Sequence, residues 1–105
     1  MKINTIIYCS TWERGEEQFE KIMKNLLNNN PDVIVHKQRK GSYAINRSMM
    51  GSWRVLCPLD NARGYKWDYA LIDEELPLRT YHEVILPQRN LEADSLPTEK
   101  VVSFF

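Results

Sequence analysis

No stretch of this sequence comes near the roughly 20 consecutive apolar residues that a membrane-spanning helix needs. The amino-terminal segment MKINTIIYCSTWERG has neither the long apolar core nor the small-residue cleavage site of a secretory leader. Excess charge is lacking too: 14 Lys and Arg balance 14 Asp and Glu, a formal net charge of zero. The chain as a whole is therefore no electrostatic footprint for nucleic acid or an anionic membrane, and any such role has to be local. Cysteine is scarce. Cys9 and Cys57 are the only two, each in an apolar run and without disulfide-framework spacing, so they read as reduced, buried thiols. Internal repeats and low-complexity tracts are absent. These absences imply a soluble, cytoplasmic protein without membrane contact.

What is present suffices for one core. A chain of 105 residues, 43% of them hydrophobic, has the length of one domain and buries roughly two thirds of its unfolded surface. Asn4–Cys9 is short, β-branched and aromatic, and reads as a buried strand. Ser10 and Glu13 have the S-x-x-E spacing of a capping box, which starts a helix. Phe19, Ile22, Met23, Leu26 and Leu27 then recur at the i, i+3, i+4, i+7, i+8 spacing of one apolar stripe, and Asn28-Asn29-Asn30-Pro31 ends the helix. Val33–His36 and Tyr43–Asn46 flank a loop with Gly41 at the turn and predict a hairpin. Met49–Ser52 predicts a second turn, followed by the strand Trp53–Cys57, which Pro58 stops.

A strand over Trp67–Ile72 ends in Asp73-Glu74-Glu75. Past Pro77 comes a weaker apolar run, Glu83–Leu86, and the apolar terminus Lys100–Phe105 predicts a last docked strand. The resulting fold class is α/β: one small domain with a mixed open sheet of about five or six strands, one long amphipathic helix over about residues 13–29, and an antiparallel insertion. One helix leaves one sheet face poorly covered. Either a second helix lies between Pro77 and Leu96, or that face meets a partner.

Two constellations carry chemistry. At the carboxyl end of a buried strand, an Asp can hold Mg²⁺, and the next Glu can orient or deprotonate a water. Asp73 is thus the candidate metal ligand and Glu74 the candidate catalytic base; the plain alternative is a strand ending in a solvated acidic turn. The second constellation is basic. Lys37, Arg39, Lys40, Arg47 and Arg54 fall in a stretch without a carboxylate, interleaved with Tyr43 and Trp53. Such a stretch suits contact with a nucleic-acid backbone, or is simply a solvated hairpin. His36, His82, Cys9 and Cys57 lack zinc-ligand spacing.

The segment GSWRVLCPLDNARGYKWDYALIDEEL resembles part of the ATPase domain of phage large terminase subunits, which have a RecA-like P-loop fold. A Gly-Ser turn (Gly51-Ser52), a strand (Trp53–Pro58), an Arg-Gly loop (Arg63-Gly64) and a Walker B strand ending in Asp-Glu (Tyr69–Glu74) follow in the family's order. The resemblance implies nucleotide contact by Arg63 and Gly64, Mg²⁺ on Asp73 and catalysis by Glu74. The final Lys100–Ser103 is similar to the strand that carries the family's coupling motif. One part of the pattern is missing: the phosphate cradle G-x-x-x-x-G-K-[ST] occurs nowhere among the four glycines of the chain.

The resemblance therefore implies a P-loop-less terminase-like domain over residues 1–105, phage-type and inactive in ATP hydrolysis by itself, that binds DNA through Lys37–Arg54 or binds a phage or host protein. Two other classes stay open. One is a small viral interaction module, with homo-oligomers among its forms. The other is a metal-dependent nuclease built on Asp60, Asp68, Asp73, Glu74 and Glu75.

Overall fold

A computed structural model describes residues 3–47, 51–59, 65–91 and 96–105. In chain order the elements are β1 (Ile3–Tyr8), α1 (Trp12–Asn29), β2 (Val33–His36), β3 (Tyr43–Asn46), β4 (Gly51–Leu56), β5 (Tyr69–Ile72), α2 (Leu78–Thr80), α3 (Thr98–Val101) and β6 (Val102–Phe104). α2 runs on into a π turn over Tyr81–Ile85 and a 3₁₀ turn over Leu86–Gln88. The strands form a six-stranded sheet in the order β2-β3-β4-β1-β5-β6. β4, β1, β5 and β6 are mutually parallel, while β3 runs antiparallel to both its neighbours, β4 and β2. This is the mixed α/β sheet with an antiparallel insertion that the sequence pattern implies.

The helix starts one residue later than the capping-box spacing predicts. Thr11 is the N-cap, its Oγ1 accepting from the Arg14 amide at 3.3 Å, because Ser10 is engaged elsewhere. Phe19 and Met23 are buried and Ile22 and Leu26 pack beside them, whereas Leu27 is half exposed at the margin of the stripe. The stripe meets Ile7, Cys9, Val55, Cys57, Ala44 and Val33 on one sheet face.

Gly15 also lies on this stripe, one turn before Phe19, and it sets the closeness of the contact. A Cβ there would fall 2.5 Å from Cys9 Sγ and 2.7 Å from Val55 Cγ1. Gly15→Ala is therefore expected to destabilise by about 1–3 kcal/mol through overpacking, although alanine is the better helix former by roughly 1 kcal/mol. Urea unfolding of the variant checks this, and a gain in stability would contradict the close approach. Glu16 completes the attachment: its Oε1 accepts from the amides of Gly41 and Ser42, both at 3.0 Å. It thereby holds the hairpin loop, where Gly41 adopts φ +87°.

The opposite face is covered over only half its width. Ile6, Tyr8, Leu56, Ala70 and Ile72 pack there against Ile85, Leu76, Val101 and the indole of Trp67. The run Glu83–Leu86 is thus helical, and the second helix sits in the interval between Pro77 and Leu96. A four-residue apolar run fits either period; Pro77 decides, since its carbonyl accepts from Thr80 and Tyr81 and starts the turn. Trp67 is an isolated bridge residue ahead of β5, so the strand is shorter than its apolar run. On the β2-β3-β4 side of this face no described helix lies over the sheet, and Ile34 and Ile45 remain more than a third exposed.

Candidate functional site

β1 and β5 are adjacent parallel strands in register Tyr8↔Ile72, so Ser10 and Asp73 emerge side by side at their carboxyl ends. α1 begins directly after Ser10 and carries Arg14 in its first turn. Crevices at the carboxyl ends of parallel strands are where open α/β sheets bind ligands. Here the position is occupied by the chain's own side chains. Asp73 is 1% exposed and accepts five hydrogen bonds. Its Oδ2 takes the Ser10 amide (2.9 Å), the Ser10 hydroxyl (2.6 Å) and Arg14 Nε (2.8 Å), and its Oδ1 takes Arg14 Nη2 (2.9 Å) and the Glu75 amide (2.9 Å).

The Arg14 contact is a two-pronged guanidinium–carboxylate pair, the strongest common form of such contacts. Burial alone would push the Asp73 carboxyl up. The Arg14 guanidinium, the Ser10 hydroxyl and amide and the Glu75 amide outweigh it, and hold the group well below the usual carboxylate range. Asp73 is therefore an ionised, fully engaged acid.

Glu74 is exposed. Its amide donates to the Phe105 carbonyl at 2.7 Å, and together with Asp73 it borders a hollow of about 230 Å³ whose other walls are Ile72, Leu76, Leu78, Tyr81 and Phe104. Glu75 approaches the crevice from outside, its Oε2 3.5 Å from Arg14 Nε. The candidates Arg63 and Gly64 lie outside the described residues, as does Asp60. Asp68 is at the other end of β5, five residues and on the order of 16 Å of extended chain from Asp73, where it accepts from the Asn4 amide at 2.7 Å and from Asn90 Nδ2 at 3.2 Å. The acids named for a nuclease centre are thus not brought together at one place, because Asp68 and Asp73 sit at opposite ends of one strand.

The basic stretch is divided between surfaces. Lys37 Nζ bonds Glu20 Oε1 at 2.9 Å, and with Arg39 and Lys40 it borders a hollow whose other wall is the acidic side of α1, Glu13, Glu16, Glu17 and Glu20. The Lys37 ammonium draws the Glu20 carboxyl below its ordinary value. Arg47 follows β3, its amide donating to the Asp32 carbonyl at 3.4 Å. Arg54 stands on the sheet face opposite α1, beside Tyr43. Cys9 and Cys57 are free and buried, and burial, with Cys57 alongside, pushes the Cys9 thiol up to about 12.

Neither a family model nor a curated protein matches the sequence. Among solved structures, the ATPase domain of the large terminase of a Thermus phage superposes on 97% of this chain with a TM-score of 0.63. The chain shares the fold of that terminase domain. Identity over the match is 18%, and the matched part is 46% of that chain, so this protein spans a little under half its length. The similarity is one of architecture, that of the mixed sheet and its helices. Sequence reasoning reached Asp73 and missed Arg14 and Ser10. The signal for them was present, since a strand leading straight into a helix puts both residues at the carboxyl end of β1, next to any strand paired parallel to it.

Proposed function

We propose that this chain uses a terminase-like fold for binding rather than for hydrolysis: a phage-type protein, inactive toward ATP by itself, that acts by contact with DNA. The observation that carries this reading is the engagement of Asp73. A metal ion would have to displace Arg14 from both carboxylate oxygens, and the cation already in place is covalently part of the chain.

If Mg²⁺ does enter, Asp73 is its ligand, Glu74 the residue that orients water, and Arg63 with Gly64 the loop beside the nucleotide. Steady-state ATP turnover with Mg²⁺ tests the choice. The expected rate equals that of Glu74→Gln within error; Mg²⁺-dependent turnover that Glu74→Gln abolishes would overturn the proposal. A protein partner is the second reading, favoured by the apolar Ile34 and Ile45 on the uncovered half of the sheet. Co-elution with such a partner, in place of DNA binding, would select it.

A further inference from the structure

The half of the sheet that α2 leaves open carries a row of side chains with no part in the Asp73 crevice. Register sets His36 opposite Tyr43 and Tyr43 opposite Arg54, so the three project from one face across β2, β3 and β4. They form a stack. The rings of His36 and Tyr43 lie 4.5 Å apart at 18°, and the Arg54 guanidinium carbon is 4.8 Å from the Tyr43 ring and 4.5 Å from that of Tyr65. Tyr43 belongs to β3 and Tyr65 leads into β5, on the other side of β4 in the strand order, so the two phenols hold the guanidinium between them.

With two rings against it, what Arg54 offers a ligand is its N–H edge, and none of the described carboxylates pairs with it. A clamped, planar guanidinium loses little freedom on binding and matches phosphate geometry. The adjoining hollow, of about 230 Å³, is lined by Arg54, Lys66, Tyr43, Tyr65, Ser52 and Asn4 among others, with two cations and no acid.

We propose that this half-face binds single-stranded nucleic acid, Arg54 and Lys66 taking a backbone phosphate while the end rings of the row, Tyr65 and His36, offer faces to unpaired bases. The charge complementarity is to any anion, but the rings select among anions. An acidic peptide would use the cations and leave the exposed ring surface of Tyr65, 38% exposed, without a partner, whereas stacking of successive bases on aromatics beside arginine is how single strands are held. The inference rests on the DNA-binding reading above and assigns its site.

Fluorescence anisotropy of a labelled oligothymidylate, titrated with the full chain at several salt concentrations, tests it. Wild type is expected to bind with an affinity that falls as salt rises. Arg54→Gln is expected to weaken binding about tenfold and to reduce the salt slope by about one. Tyr65→Ala is expected to weaken it by about tenfold. Lys21→Ala, on α1 beside Glu17, is expected to bind as wild type does. Circular dichroism confirms that the variants are folded. If wild type binds and Arg54→Gln and Tyr65→Ala bind equally well, the site is wrong while the DNA reading stands. Equal losses in Arg54→Gln and Lys21→Ala would mean diffuse charge and would overturn the site too. No binding by wild type overturns both, and binding of polyglutamate in preference to the oligonucleotide replaces nucleic acid with an acidic protein partner.

Discussion

Asp73→Ala is expected to lower the stability of the fold by about 2–4 kcal/mol, as removal of a buried acceptor of several hydrogen bonds does, its cationic partner Arg14 being itself 37% exposed. The substitution leaves the Ser10 amide, the Ser10 hydroxyl and the Glu75 amide without their acceptor, and frees Arg14 from its anchor at the start of α1. The effect is large against the roughly 5–15 kcal/mol that holds a domain of this kind together. Urea unfolding measures it, and a loss below about 1 kcal/mol, the range of exposed ion pairs, would contradict an enclosed carboxylate.

The same arrangement fixes the sign of a pH effect. The folded-state pKa of Asp73 is depressed, so its contribution is fully present above the unfolded value of about 3.9 and is lost as pH falls below that value toward the folded pKa. Wild type should therefore lose its advantage over Asp73→Asn progressively in acid below about pH 4. Between pH 5 and 8, roughly, the difference between the two proteins should stay level.

Trp67→Ala is expected to cost about 3–5 kcal/mol, the range for removing a large buried aromatic. The indole is 0% exposed, and its Nε1 donates to the Ile85 carbonyl at 2.8 Å. The backbone of the same residue accepts from Asn90 at 2.8 Å and donates to Gln88 at 3.1 Å. One residue thus ties the segment 78–90 to the sheet. Hydrogen exchange should show protection lost over residues 81–88 while α1, on the other face, keeps its own. Trp67→Phe, which retains much of the volume and drops the indole donor, should lose about 1–3 kcal/mol, the cost of stranding a buried acceptor. Uniform loss of protection across both faces would mean that the two halves of the core do not separate energetically.

Much of this architecture was legible in the residues because it rests on short-range periodicity. The stripe of α1, the hairpin about Gly41 and the apolar strands β1, β4 and β5 each follow from spacing within a dozen residues. The terminal strand β6 was legible as an apolar terminus, although Phe104 stays 61% exposed and the residue that is buried is Val101, just ahead of the strand. The covering segment did not follow, since Glu83–Leu86 satisfies either period, and what selects the helix, the turn begun at the Pro77 carbonyl and the contact with Trp67, lies outside the run. The site was half legible. Asp73 is visible as an acid at a strand end, but its partner Arg14 lies 59 residues away, and only the parallel pairing of β1 with β5 joins them. The basic stretch shows the converse: cations close in sequence diverge, because Lys37, Arg39 and Lys40 turn toward the acids of α1 while Arg54 stands on the opposite face of β4.

The state of Asp73 can be read most directly from the side-chain Nε–H resonance of Arg14 in an ¹H–¹⁵N spectrum, recorded with and without millimolar Mg²⁺ and ATP. A slowly exchanging, downfield signal that neither addition moves is expected for a guanidinium locked on a buried carboxylate. A saturable shift or loss of that signal on adding Mg²⁺ or Mg²⁺-ATP, absent in Glu75→Gln only if Glu75 recruits the ion and absent in Asp73→Asn if Asp73 does, would show that the carboxylate yields to metal and that the site is not closed by the chain itself.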